Sequence, residues 1–480
     1  MMNGRNVFNA ILLLAICAAC GRRLTEGSDG TPPNIIIIFT DDQGYADVGS
    51  YGAGFGTPHL DRMASEGVRF TNFYVGQPVC SASRAALLTG CYPSRVSVHG
   101  ALGPGSKTGL HPDEETLAEI CKARGYKTFM AGKWHLGDHP DLLPVKQGFD
   151  EYIGLPYSND MWPGHPDNAR RNYPKLPLIR NDSVIGYLDE DQNMLTTMYT
   201  QHAVKFIEDN RDDPFFLYLA HSMPHVPLYV SDKFRSKSGH GLYADVISEI
   251  DWSVGQVMST LSKLGIDRKT LVIFTSDNGP WLSYGKHAGS AQPLREGKGT
   301  VLEGGVRVPC IMRWPGKIPE GAVQDEPAMT IDLLPTIASL IGAPLPEKPI
   351  DGKNIWPLVV NESDARSPHE AYYFYYNRNE LQGMRSGKWK LYFPHRYSSI
   401  EGHSGRDDGQ PVEYTTKKME LELYDLENDV SEKFNVANQH PTVVDSLQQM
   451  ADKVRVKLGD ALTGVTGADV RPAATLEDAK

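Results

Sequence analysis

The sequence predicts an α/β fold: a large, mostly parallel sheet flanked by helices, followed by a smaller antiparallel sheet subdomain. Three observations carry this. Apolar, β-branched runs alternate with segments of helical periodicity up to about residue 370, the pattern of strands and helices stacked in layers. The run Asn34-Ile35-Ile36-Ile37-Ile38-Phe39 has no polar face, as a strand buried on both sides requires. Beyond residue 370 the texture changes to short strand-like runs separated by turns.

Taken in order, residues 34–39 are the first strand. Residues 116–125 have helical spacing and end at Gly125, and residues 126–131 follow as a strand. Residues 194–210 read as a helix, 215–220 as a strand, 243–264 as a long amphipathic helix and 271–275 as a further buried strand. In the C-terminal part, residues 372–376, 383–393 and 420–426 read as short strands and 442–458 as a helix. The expected organisation is an export segment over 1–20, a tether over 21–33, a main domain over 34–369, a C-terminal subdomain over 370–462 and a disordered tail over 463–480.

Composition narrows the class. The 480 residues are 40% hydrophobic and 22% charged, with a net charge of −11, which argues against general binding of nucleic acid. Arg5 and the apolar run from Ala10 to Ala19 outline a secretory signal, and Cys17-Ala18-Ala19-Cys20-Gly21 reads either as a lipoprotein box, with Cys20 the lipidated residue, or as plain signal cleavage nearby. The expectation is an exported periplasmic or outer-membrane lipoprotein of a bacterium. The other four cysteines, Cys80, Cys91, Cys121 and Cys310, have no thiolate-zinc spacing, and their separation leaves open one bridge among the last three.

Ligands in such sheets bind at the carboxyl ends of the strands. There the chain places Asp41-Asp42 and Ser276-Asp277-Asn278. Acidic residues after strands also form ordinary turns, but three carboxylates and an amide from two strand ends suit a hard cation such as calcium or magnesium. Cys80-Ser81-Ala82-Ser83-Arg84 follows Pro78 and leads into Ala85-Ala86-Leu87-Leu88, which puts Cys80 at a helix N-terminus, a place that favours anions.

These residues, with Leu88-Thr89-Gly90 after them, resemble the signature of the formylglycine-dependent sulfatases. The resemblance extends through Gly132-Lys133-Trp134-His135-Leu136-Gly137, Asp277-Asn278-Gly279, residues 295–300 and 303–309, and Tyr424-Asp425-Leu426. It implies an alkaline-phosphatase-like fold, and Cα-formylglycine made from Cys80 by a maturation enzyme. It implies one calcium held by Asp41, Asp42, Asp277, Asn278 and the modified Cys80. It also implies that Arg84, Lys133, His135, His225 and Lys298 handle the sulfate: Arg84 at the attacking oxygen, His225 as acid with Lys298 assisting, His135 as base. The family usually has Arg or Lys where this chain has Cys91, a position that helps the maturation enzyme recognise its substrate.

Residues 147–160 are similar to the branch that contains arylsulfatase A and galactosamine-6-sulfatase, which implies a sulfated galactose- or N-acetylgalactosamine-type carbohydrate and a role in polysaccharide degradation. Trp162, His165 and Arg170, in a loop over 160–172, are candidate substrate contacts, as are Trp281 and Arg295. Two other readings stand beside this one. A phosphoester or phosphonate hydrolase of the same superfamily would share the fold, and a catalytically silent glycan-binding lipoprotein would retain it without turnover.

Overall fold

The computed structural model describes residues 32–475 except 166, 167, 190, 402, 404 and 407. The export segment, Cys20 and nearly all of the tether lie outside the described residues. Among those described, no helix is long and apolar enough to cross a membrane.

The apolar run becomes the strand Asn34–Thr40 at the centre of the main sheet. It pairs in parallel with Phe215–Ala220 on one side and Thr270–Ser276 on the other. Lys127–Lys133 and Glu151–Leu155 extend the parallel set beyond Phe215–Ala220. Beyond Thr270–Ser276 lies Arg307–Arg313, antiparallel to it, then Val68–Tyr74, antiparallel to Arg307–Arg313, with the short strand Ala322–Gln324 at the edge parallel to Val68–Tyr74. Beyond Glu151–Leu155 the antiparallel hairpin of Pro177–Arg180 with Ser183–Tyr187 closes the other flank.

Side-chain alternation along the central strand explains its composition. Ile35, Ile37 and Phe39 face one core, and Ile36 and Ile38 face another. Both faces are dry, so the strand has no use for polar residues. The second core takes the long helices Leu195–Asp209 and Leu242–Lys263. The first is shared with the C-terminal subdomain, whose Tyr372, Phe374, Leu391 and Leu423 belong to it. The boundary near residue 370 is thus a change of sheet and not a break in the core.

The subdomain sheet runs in the order Tyr372–Tyr376, Glu380–Ser386, Trp389–Tyr392 and Glu422–Asp425, all antiparallel, with the helix Pro441–Leu458 packed on it. A separate hairpin, His395–Ser399 with Thr415–Met419, projects from it. Residues 463–475, expected to be disordered, are instead docked. Ala474–Thr475 pairs with Thr108–Gly109, and Arg471 binds Glu114 through two contacts of 2.7 Å. A short polar tail is held when its few side chains meet partners fixed by the main domain, which its own composition does not record. All four described cysteines are free and buried, so no bridge joins Cys91, Cys121 and Cys310.

A buried charge network joins the two sheets. Lys390 lies 2.6 Å from Glu303 and 3.7 Å from Glu432, and all three side chains are fully buried. Glu303 also accepts from Tyr74 at 2.8 Å and from Arg307 at 3.2 Å, while the Tyr392 hydroxyl donates to Glu432. Burial alone would raise Glu303, but Lys390, Arg307 and Arg385 bring it down to about 2. Burial and the neighbouring Glu303 push Glu432 up to about 7 despite Lys390.

Candidate active site

Every parallel strand of the main sheet delivers polar side chains at its carboxyl end, and they converge. Asp41 and Asp42 follow Thr40, Lys133 ends its strand and leads to His135, and Asp277 and Asn278 follow Ser276. The loop after Ala220 brings His225, and the loop after Leu155 brings Ser158. Asp42 and His135 hold φ of 65° and 60°, left-handed conformations that cost a residue with a side chain about 1–2 kcal/mol. Gly132 holds φ of 125°, and a Cβ there would lie 1.7 Å from the Ala220 carbonyl oxygen, so only glycine lets these two strands pair beside Lys133.

Cys80 begins the helix Cys80–Thr89, which ends at Gly90 with φ of 68°. The N-cap, Val79, has no side-chain acceptor for the first N–H groups, and both Val79 and Cys80 line a cavity of about 440 Å³. Cys80 is 2% exposed, and Arg84, one turn further on, is wholly buried.

The charges are tightly cross-linked. Arg84 meets Asp277 at 2.9 Å and Asp41 at 3.3 Å, and donates to the Lys133 carbonyl at 3.0 Å. Lys133 meets Asp41 at 2.5 Å and donates to Ser158 at 3.1 Å. Lys298 lies 2.8 Å from Asp42 and 4.4 Å from the centre of the Trp281 ring. His225 Nε2 is 3.5 Å from Asp42, while its Nδ1 faces the Val226 carbonyl at 2.6 Å.

These contacts set the protonation states. Burial would raise Asp41, but Lys133, His225, Arg84 and Lys298 hold it well below the usual carboxylate range. Burial and the charge of Asp41 lift Asp277 to about 7, in spite of Arg84. Burial works against charge on the two lysines, yet the acidic groups around them keep both above the normal amine value. The two histidines diverge. Burial, Lys133 and Arg84 drive His135 well down; His225 is opposed by burial and Lys298, yet Asp42 and Asp41 raise it.

The residues present fit a cation. Ligand atoms of Asp41, Asp42, Cys80 and His225 lie within 4.8 Å of one another. Asp41 Oδ1 and Asn278 Oδ1 are buried oxygens with no hydrogen-bond partner, a state that costs about 1–3 kcal/mol each unless something binds them. Asp277, expected as a ligand, spends its oxygens on Arg84 and on the Asp42 backbone N–H at 3.0 Å.

Of the expected substrate contacts, only Trp281 lines the cavity. Trp162 packs against a hydrophobic core, His165 lies 4.0 Å from Asp160, and Arg170 is exposed on the short helix Asn168–Arg171. Arg295 is taken up by the Glu432 carbonyl at 3.1 Å and the Tyr397 hydroxyl at 3.1 Å, so it anchors the C-terminal subdomain. Ser158 and Asp160 are missed in the sequence because the strand they follow, Glu151–Leu155, goes unread there; once that strand is placed, its carboxyl end marks them. Tyr376, Asn377, Arg396 and Tyr414 also line the cavity, but they come from the C-terminal subdomain, and nothing local in the sequence marks them.

Comparison with known proteins agrees with this geometry. The family model described as Sulfatase matches residues 33–343, and that of the N-sulphoglucosamine sulphohydrolase C-terminal region matches residues 297–457. Human arylsulfatase A is 39% identical over 461 residues, covering 90% of this chain and 89% of the human protein. Pig N-acetylgalactosamine-6-sulfatase is 36% identical over 468 residues, covering 91% of this chain and 88% of the pig protein. Among solved structures, Ps i-CgsB in complex with k-i-k-neocarrahexaose superposes with a TM-score of 0.72 at 31% identity, covering 88% of this chain and 93% of that one.

Proposed function

Since the chain belongs to the sulfatase family and is a sulfuric ester hydrolase, we propose that it removes sulfate from a sulfated carbohydrate through Cα-formylglycine made from Cys80, beside one calcium ion. The observation that carries the metal is the pair of unpartnered buried oxygens, Asp41 Oδ1 and Asn278 Oδ1, next to Asp42 and Cys80. The cation would be held by Asp41, Asp42, Asn278 and residue 80, with Asp277 joining if it gives up a hydrogen bond. Bound there, calcium would supply charge that offsets the sulfate, and a hydrated aldehyde at residue 80 would supply a nucleophilic oxygen.

The other groups divide the remaining work. Lys133 and Lys298 are both ammonium at neutral pH and flank Asp41 and Asp42, so they bind the sulfate oxygens without a net excess of negative charge. Arg84 stabilises a developing negative oxygen at residue 80. His225 donates its Nδ1 proton to the Val226 carbonyl at 2.6 Å, which leaves Nε2, 3.5 Å from Asp42, as the atom that would pass a proton to the departing alcohol. Asp42 and Asp41 favour its protonated form. His135 is the converse. It is neutral, its Nε2 donates to the Leu102 carbonyl at 2.7 Å, and its buried Nδ1 has no partner, so a lone pair is ready to take a proton.

Asp160 supports a sugar as the alcohol. It lines the cavity at 9% exposure, and its Oδ1 has no hydrogen-bond partner. A sugar hydroxyl is the donor such an oxygen lacks. The names of the N-acetylgalactosamine-6-sulfatase relative and of the neocarrahexaose complex agree with this class. The test is sulfate release across defined sulfated galactose and N-acetylgalactosamine derivatives, alongside mass analysis of the Cys80 peptide. Release from an aryl sulfate alone would overturn the carbohydrate reading, and an unmodified thiol in active protein would overturn the formylglycine reading.

A further inference from the structure

The cavity is larger than a sulfate ester needs, and one wall of it is built by the C-terminal hairpin. Along His395–Ser399 the side chains alternate, with His395, Tyr397 and Ser399 buried and Arg396 and Ser398 exposed. Arg396 and Ser398 line the cavity that Cys80 and Lys298 also line, together with the buried Tyr397 between them, Thr416 of the hairpin's second strand and Tyr414 just before it. Arg396 therefore presents a guanidinium to the substrate space. Among the described residues it has no carboxylate partner.

The register makes that placement costly. Arg396 stands directly opposite Lys418 in the antiparallel pair, and like charges in that relation destabilise a hairpin. Lys418 finds relief in Glu420 at 2.5 Å, whereas Arg396 has none. Lys417, opposite Tyr397, is also bound, to Glu401. Of the three lysines and arginines on the two strands of this hairpin, the uncompensated one is the one that lines the cavity. In a chain with a net charge of −11, a bare guanidinium at the mouth of the site is a selective feature and not a share of general surface charge.

We infer that Arg396 forms a second anion subsite, for a carboxylate or a second sulfate carried by the sugar next to the one that bears the scissile ester. A guanidinium binds either group through paired N–H donors. The inference rests on the sulfated-carbohydrate reading above. It assigns Arg396 to specificity and not to the bond-breaking step, which belongs to Cys80, Arg84, Lys133, His135, His225 and Lys298 of the main domain.

The experiment compares three disaccharides with the same scissile sulfate, whose neighbouring sugar carries a carboxylate, a second sulfate or neither. Wild-type protein should favour one charged disaccharide over the neutral one by at least about tenfold in kcat/KM, the scale of one charge-assisted contact. Arg396→Gln should bring that ratio close to one, Arg396→Lys should keep part of it, and added salt should shrink it in wild type. Which charged disaccharide leads identifies the anion. Turnover of all three at equal efficiency by wild type, or a preference that survives Arg396→Gln, would overturn the subsite while leaving the sulfatase reading intact. Release from an aryl sulfate but from none of the disaccharides would remove the carbohydrate reading and the subsite with it.

Discussion

Replacing Lys390 by Met should destabilise the fold by about 3 kcal/mol, more at alkaline than at acidic pH. At 2.6 Å from Glu303, and with an effective dielectric of about 20, the ion pair alone is worth about 6 kcal/mol before the ammonium's desolvation is subtracted. Breaking buried pairs costs about 3–5 kcal/mol in practice, because the remaining charge is left uncompensated. Here Glu303 keeps Arg307 at 3.2 Å and Tyr74 at 2.8 Å, which places the loss at the lower end. Glu432 responds by holding a proton. Its folded value of about 7 already lies above the ordinary 4.5, so its protonated form favours folding, and that contribution fades as pH rises from 4.5 through 7. Without Lys390 the folded value climbs further, so the deficit of the variant should widen between pH 5.5 and pH 8. Urea unfolding of both proteins at the two pH values measures this. A loss below about 1 kcal/mol, or a deficit independent of pH, would refute the view that Lys390 neutralises this junction.

Four other outcomes bear on the site. Cys80→Ala should lower kcat/KM by at least about a thousandfold, in line with removal of a nucleophile, and near-normal turnover would sink the assigned role. Exhaustive chelation should abolish activity and lower thermal stability, with calcium restoring both; at one hundred times Kd the ion would contribute about 2.7 kcal/mol, and an unchanged melting profile would count against a resident metal. His225→Ala should cut turnover of alkyl sulfates by about 10²–10⁴-fold, and far less for aryl sulfates with good leaving groups. Because His225 is raised and loses its proton as pH climbs, while lowered His135 loses its free base as pH falls, the same change should also erase the alkaline limb of the rate profile. Cys91→Arg should destabilise the folded protein by at least about 2 kcal/mol, since Cys91 is fully buried with the Arg471 guanidinium 3.3 Å away; a neutral effect on the melting temperature would contradict that packing.

Four parallel strands were legible because they are buried on both faces and carry uninterrupted apolar runs, as at Asn34–Thr40 and Phe215–Ala220, whereas Glu151–Leu155, opened by a glutamate and interrupted by Gly154, was not. The same logic located Asp41, Asp42, Asp277 and Asn278, since strand ends in such sheets are where polar residues gather. Arg307–Arg313 escaped notice. It opens and closes with arginine and contains Pro309, which reads as a loop until a register shift between Val308 and Cys310 lets the proline sit in an antiparallel strand. The cavity wall escaped for another reason. Arg396 belongs to a hairpin of alternating pattern and Tyr414 precedes its second strand, both remote in sequence from Cys80, and only the shared core between the two sheets brings them together. Trp162, His165 and Arg170 have side chains suited to a sugar, but they lie in a loop, and loop residues carry no periodicity that says which way they face.

The helix that starts at Cys80 has one more consequence. Every residue from Cys80 to Thr89 is buried, so no other enzyme can grip this stretch once it has packed. The oxidation proposed for Cys80 must therefore happen on a chain still on its way to the native state, and folding closes the opportunity. The active fraction of a preparation is then decided by a race between two rates. Supplying more maturation enzyme to finished molecules would not raise it, whereas slowing the collapse around Cys80 would.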